Sequence, residues 1–132
     1  MPRALVVDDS TLIRTKVGHA LTGADFTVEV AKDGAEAYAR FLESSFDLVI
    51  TDILMPVSNG LELLRRIRHL NARVPVVVLS SASDRQIVEQ ARSLGASGYL
   101  LKPFDAEALL KKIWTVMRLE TTCHRSRQTR LA

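Results

Sequence analysis

Four clusters of polar residues stand directly after short apolar runs. Asp8, Asp9 and Ser10 follow Ala4-Leu5-Val6-Val7, and Thr51 and Asp52 follow Leu48-Val49-Ile50. Ser80 and Ser81 follow Val76-Val77-Val78-Leu79, and Lys102 and Pro103 follow Tyr99-Leu100-Leu101. Carboxylates brought into one crevice repel one another unless a cation offsets them, and an oxygen-rich set without His or Cys suits a hard divalent ion. Magnesium fits best, because it binds through one or two carboxylates, keeps several waters and leaves positions for phosphate oxygens. Lys102 would add the point charge that a phosphate needs, and Ser80 a hydroxyl to donate to a phosphoryl oxygen. Taken singly, each of these residues has an ordinary role as helix cap, turn former or solvent-facing lysine. Three acids and a lysine recurring at strand ends raise phosphate chemistry above those roles.

The apolar runs that carry these residues are short and rich in β-branched side chains, as strands are. A fifth run, Val28-Glu29-Val30-Ala31, alternates with polar residues and predicts an edge strand, whereas the other four are continuously apolar and predict burial on both faces. Between the runs the period becomes helical. The stripes are Ile13, Val17, Ala20, Leu21; Ala35, Tyr38, Phe41, Leu42; Leu61, Leu64, Ile67; Ile87 or Val88, Ala91, Leu94; and Ala106, Leu109, Leu110, Ile113, Met117. Ser10 or Asp9, Ser83 or Asp84, and Asp105 are placed to cap the first, fourth and fifth helices, and Gly23 and Gly95 to end the first and fourth. Strict alternation predicts an α/β, doubly wound (βα)5 fold with a parallel five-stranded sheet between helical layers. In the order 2-1-3-4-5, strands 1 and 3 meet at the switch point, where such sheets bind ligands beyond the carboxyl ends of the strands. Asp8, Asp9 and Asp52 would then share one shallow crevice, with Lys102 carried toward it.

The whole chain has 132 residues, 47% of them hydrophobic and 25% charged, the balance of one ordinary globular domain. Residues 1–117 hold 14 Lys/Arg against 14 Asp/Glu, so the formal charge of +3 comes from 118–132, where Arg118, Arg125, Arg127 and Arg130 face Glu120 alone. The expected organisation is a domain over 1–117 followed by a basic tail or the start of a linker over 118–132. A tail without aromatic residues gives weak grounds for nucleic-acid binding. Cys123 has no partner for a disulfide or a zinc ribbon, and Cys123-His124 alone is a poor metal site. No apolar run approaches the roughly 20 residues that cross a bilayer, and the start lacks a signal-peptide pattern. The expectation is a cytoplasmic protein without membrane contact.

From about Arg3 to Met117 the chain resembles the response-regulator receiver domains of two-component signalling, the CheY-like family. The residues that carry the resemblance are Val-Val-Asp8-Asp9-Ser10, Asp52-Ile-Leu-Met55-Pro56 followed by Gly60, Leu-Ser80-Ser-Ala, and Gly98-Tyr99-Leu-Leu-Lys102-Pro103-Phe104. The resemblance implies a flavodoxin-like three-layer sandwich and a phosphoacceptor at Asp52. It implies magnesium held by Asp9 and Asp52 directly, by Asp8 through water and by the backbone carbonyl of Leu54. Lys102 would hold the phosphoryl group, Ser80 and Tyr99 would form a switch pair, and the Lys102–Pro103 bond would be cis. The implied phosphodonor is a histidine kinase or histidine phosphotransfer protein. The implied output is a helix 4, strand 5, helix 5 face that controls a downstream target, in a monomer or a phosphorylation-dependent dimer. Such a protein is a signalling phosphoacceptor that catalyses only its own phosphorylation and dephosphorylation.

Other classes fit less well. A phosphohydrolase of the aspartyl-phosphate type needs an Asp-x-Asp pair, and Asp52-Ile-Leu54 supplies none. A flavin carrier needs a small-residue phosphate loop where Asp8-Asp9-Ser10 would repel the phosphate. A degenerate, phosphorylation-independent interaction module is the remaining alternative, and the complete acid, hydroxyl and lysine set argues against it. Ser80 replaces the commoner Thr of the family and keeps the hydroxyl. Ser97-Gly98 replaces the paired acid that many DNA-binding regulators carry, which favours a stand-alone or relay receiver. Trp114 falls at the margin of its helical stripe, open to partial burial or a partner contact. Leu54 and Ala82, two places after Asp52 and Ser80, cannot hydrogen-bond a hydrolytic water. The wild-type chain is therefore predicted to lose its phosphoryl group more slowly than a Leu54→Asn, Ala82→Glu variant. Following the decay of the phosphorylated proteins side by side checks this, and equal or faster decay in the wild type contradicts it.

Overall fold

Alternation along the strands divides the interior into two apolar layers. The computed structural model describes residues 2–53, 55, 59–81 and 85–117. Its strands are β1 (Arg3–Val7), β2 (Thr27–Ala31), β3 (Leu48–Asp52), β4 (Val76–Ser80) and β5 (Gly98–Leu101). Between them run α1 (Thr11–Gly23), α2 (Gly34–Glu43), α3 (Gly60–Leu70) and α4 (Arg85–Ser93), and helical residues 106–117 form α5. The strands are all parallel in the order β2-β1-β3-β4-β5. Leu5, Val7, Val49, Val76 and Val78 face one layer with Ala37, Leu63, Leu64, Ile67 and Ala91 of α2, α3 and α4. Ala4, Val6, Leu48, Ile50, Val77 and Leu79 face the other, with Val17, Leu21, Leu109, Ile113 and Val116 of α1 and α5. Each fully buried Leu, Ile or Val contributes roughly 1.5–3 kcal/mol of transfer free energy, so the central strands hold the sheet firmly from both sides.

The predicted caps are present where the chain is described. The Ser10 side chain accepts from the Ile13 N–H, and the Asp105 carboxylate accepts from the Ala108 N–H at 2.8 Å. Gly95 follows α4 at φ +102°, a left-handed conformation that glycine adopts without penalty. The proposed caps Ser83 and Asp84 lie outside the described residues, as do Leu54, Ala82 and the tail 118–132.

The structure corrects three expectations of burial. β5 is the second edge of the sheet, with Tyr99 39% and Leu101 46% exposed, so its apolar run is covered on one side only. Strand composition reports apolar packing wherever it comes from, and the last strand of an open sheet lacks a neighbour. On α2 the buried small residue is Ala37; Ala35 is exposed and Leu42 is 57% exposed, because the packed face is centred on Gly34, Ala37 and Phe41. On α5, Ala106 is exposed and Val116 joins Leu109 and Ile113 inside. Trp114 is 49% exposed, with its ring tilted against Phe26 at 6.2 Å.

At the crevice end of the sheet, α3 starts hard against β3. The Gly60 N–H donates to the Ile53 carbonyl at 2.9 Å, and a Cβ at Gly60 would lie 2.3 Å from the Asp52 carbonyl oxygen and 2.8 Å from the Ile53 Cα. Both obstacles are backbone, so neither can swing aside. Gly60→Ala is predicted to cost about 2–3 kcal/mol, read as a lower urea midpoint at an unchanged slope.

Candidate functional site

Parallel register carries the acids together. Val7 pairs with Thr51, so the next residues, Asp8 and Asp52, leave β1 and β3 side by side. Asp8 is fully buried and Asp52 is 7% exposed, while Asp9, one step further along the loop, is exposed. One carboxylate oxygen from each of Asp8, Asp9 and Asp52 lies within 4.8 Å of the others. Lys102 arrives from the far side. Ser80 pairs with Leu101, and the Lys102 N–H donates to the Ser80 carbonyl at 2.8 Å, which aligns the loop after β5 with the end of β4.

The Lys102 ammonium bridges two of the acids. It donates to Asp8 Oδ2 at 3.1 Å and lies 3.3 Å from Asp52 Oδ2. Burial pulls its pKa down, but the hydrogen bond to Asp8 and the charges of Asp52 and Asp8 outweigh that pull and hold it above the ordinary lysine value. It is therefore a cation at any physiological pH. Asp8 spends its other oxygen accepting the Ser10 N–H at 2.9 Å, so both of its oxygens are engaged within the protein. The Ser80 hydroxyl is buried and has no hydrogen-bond partner among the described residues. An orphaned buried hydroxyl is costly enough to require a reason, and here it stands at the end of β4, beside the strand that ends in Asp52.

The structure thus unites Asp8, Asp9, Asp52 and Lys102, and sets Ser80 on the strand between the last two. Tyr99 lies two residues before Leu101 on β5, exposed, with the Lys112 ammonium 5.8 Å from its ring centre. The Lys102–Pro103 peptide is cis. Leu54, whose carbonyl the resemblance implicates, lies outside the described residues. Sequence reasoning missed Arg14, whose guanidinium donates to the Asp8 carbonyl at 2.6 Å, and Lys16, whose ammonium donates to the Phe104 carbonyl. A basic residue on an exposed helical stretch carries no local sign that it will reach a distant backbone oxygen. A surface groove of about 570 Å³ lies elsewhere, between α3 and α4. A phosphoryl group needs converging charges rather than volume, so the geometry of the acids decides the site.

A family model for the response regulator receiver domain matches residues 4–114. The chain belongs to that family. It is 33% identical over 119 residues to the chemotaxis protein CheY of Treponema pallidum, covering 88% of this chain and 83% of that one. It is 32% identical to the response regulator ArlR of Staphylococcus epidermidis, covering 89% of this chain but 53% of that one. Among solved structures, the chemotaxis response regulator CheY4 of Vibrio cholerae superposes with a TM-score of 0.83 at 37% identity, over 88% of this chain and 98% of that one. The chain spans only 13% and 12% of two longer curated relatives. The receiver is thus a two-component signalling module of flavodoxin-like fold, a family that works with histidine kinases and effector domains. Among the described residues no helix is long and apolar enough to cross a membrane.

The bridging ammonium makes a prediction about this receiver without any ion. Lys102→Met leaves Asp8 and Asp52 facing each other with their shared counter-charge removed. Because the lysine side chain is 25% exposed, the expected loss in metal-free buffer is about 1–3 kcal/mol, below that of a fully buried pair. Urea unfolding measures it, and adding Asp52→Asn in the same chain should restore part of the loss.

Proposed function

We propose that the receiver accepts a phosphoryl group on Asp52 from a phosphohistidine of a kinase or phosphotransfer protein, and that this controls a downstream target. The observation that carries the reading is the meeting of three carboxylate oxygens within 4.8 Å under a lysine that bridges two of them. A carboxylate oxygen of Asp52 attacks phosphorus, the new O–P bond forms as the P–N bond breaks, and the electron pair leaves with the imidazole nitrogen. The resulting aspartyl phosphate carries more negative charge than the carboxylate it replaces. Lys102, already 3.3 Å from Asp52, is the group to pair with the added oxygens. The Ser80 hydroxyl, buried without an acceptor, has a donor free for one of them.

The donor set fits magnesium: every candidate ligand is an oxygen, and the exposed Asp9 beside Asp52 offers an approach from solvent. Asp9 and Asp52 would hold the ion directly. Asp8, with both oxygens engaged by Ser10 and Lys102, suits an indirect role through water, and the Leu54 carbonyl would complete the protein's share. When bound, the ion supplies charge neutralisation for the phosphoryl oxygens as the bond forms. Lys102, Asp8 and Ser80 then do the protein's own part, orienting the nucleophile and holding its charge.

In the switch, Ser80 moves toward the phosphoryl oxygens and the Tyr99 ring, now 39% exposed on the edge strand, turns inward. The α4, β5 and α5 face is remodelled and a target reads the change, as a shift between two populated states. The receiver occupies 1–117 and the basic 118–132 is a tail or a linker. It acts in the cytoplasm, as a monomer or as a dimer formed on phosphorylation, without contacting nucleic acid or membrane itself.

Intact mass after incubation with a small-molecule phosphodonor tests the chemistry. The expected result is one added phosphoryl group in the wild type with magnesium, and none in Asp52→Asn or with chelator. A folded wild-type protein that gains no phosphoryl group, even when quenched at the shortest times, would make the domain a phosphorylation-independent interaction module.

A further inference from the structure

We infer that Lys16, midway along α1, is a positioning residue for Lys102: it fastens the loop that carries the phosphate-binding ammonium to the helix that directly follows Asp8 and Asp9. The inference rests on the phosphoacceptor reading of Asp52 and adds to it a residue that the acid, hydroxyl and lysine set does not include.

The Lys16 ammonium makes two contacts with one residue 88 positions away. It donates to the Phe104 carbonyl and lies 4.8 Å from the centre of the Phe104 ring. An exposed lysine gives up rotamer freedom to hold one geometry, and a cation over a ring face together with a carbonyl acceptor offsets that loss. Phe104 is itself fixed, 7% exposed within the layer of α1 and α5, so the contact joins two rigid bodies.

The position of the contact gives it its consequence. The loop from Lys102 to Asp105 is tied upstream to β4 through the Lys102 N–H and downstream to α5 through the Asp105 cap. The first reaches Asp52 only through β4 and β3, and neither fixes the loop's backbone to the Asp8 segment, which Lys102 meets by its side chain alone. α1 is the element held to that segment. Ser10 donates its N–H to Asp8 and caps the helix, and Arg14 from the next turn donates to the Asp8 carbonyl. By gripping Phe104, Lys16 makes α1 the common frame of both halves of the site. Only Pro103 separates Phe104 from Lys102, so a displacement at the grip is passed almost directly to the ammonium that must meet the phosphoryl oxygens. A misplacement of about 1 Å in a charged catalytic group costs up to roughly a hundredfold in rate, and a loop still held at its two ends loses only part of that.

The test uses Lys16→Met, which keeps the aliphatic stem, and Lys16→Arg, which keeps a cation able to donate and to stack. Phosphorylation by a small-molecule donor in saturating magnesium is followed by mass, so no kinase docking enters. Lys16→Met is expected to slow phosphorylation by about three- to tenfold, and Lys16→Arg to stay within about twofold of wild type. Hydrogen exchange on the metal-free proteins provides a second readout. The Lys102 and Ala108 amides should exchange faster in Lys16→Met, with the β1 and β3 amides unchanged. A wild-type rate in Lys16→Met, equal slowing in Lys16→Arg, or unchanged exchange at the loop each overturns the inference. A wild-type protein that takes up no phosphoryl group overturns instead the function on which it stands.

Discussion

Three carboxylates at one end of a sheet are a standing repulsion that the fold has to answer. Two unit charges at about 4 Å interact by about 4 kcal/mol at an effective dielectric near 20, a large share of the 5–15 kcal/mol that typically stabilises a domain. Among the described residues the answer is one ammonium, Lys102, in contact with both of the buried acids. Because it lies on the far side of β4 from the acids, the architecture follows from where it must come from. β4 and β5 have to lie beside β3, the β4–β5 register has to bring Lys102 level with the Ser80 carbonyl, and a helix has to cross back between each pair of strands.

The same arrangement divides the molecule into stiff and yielding parts. β1, β3 and β4 are buried on both faces nearly throughout, and they carry Asp8, Asp52 and Ser80. β5 alternates between partly buried and exposed, and it carries Tyr99 and leads to Lys102. Chemistry that depends on fixed distances is thus anchored in the centre, while the residues proposed to report it sit at an edge where a side chain can turn without opening the core. Arg68 limits how far that freedom extends. From α3 it donates to the Val74 carbonyl at 2.7 Å and the Gly95 carbonyl at 2.8 Å, pinning the loop between α4 and β5 at the end remote from the acids. Gly95 allows the approach, since a Cβ there would come within 2.9 Å of the Arg68 side chain.

How much of this was legible depended on whether a property is local. The alternation of strands and helices and the caps at Ser10 and Asp105 follow from apolar runs and the polar residues that end them, the strand order that brings Asp8, Asp9, Asp52 and Lys102 together follows from the known pattern of such folds, and all are present. The exposure of β5 was misjudged from composition, because Tyr99-Leu100-Leu101 is as apolar as an interior strand, although the order 2-1-3-4-5 already places it at an edge. The centring of α2 on Ala37 rather than Ala35 turns on a rotation of the helix that small residues barely mark. Arg14 and Lys16 were silent for a different reason. Each donates to a backbone carbonyl, and a carbonyl has no residue type to signal that it will be there.

The contact between Lys102 and Asp52 also constrains how the proposed chemistry proceeds. The ammonium neutralises the oxygen that would attack, which lowers its nucleophilicity, so capture requires the pair to loosen as phosphorus approaches. Because Asp8 holds the same ammonium at 3.1 Å, the lysine need not leave the crevice to do this. It can pivot about Asp8 and follow the developing charge onto the phosphoryl oxygens. The product is more anionic than the reactant, so the pivot moves with the electrostatic gradient. On this argument Asp8 is the hinge on which the cation turns from nucleophile to product, which is reason enough for a carboxylate to be buried with both of its oxygens engaged.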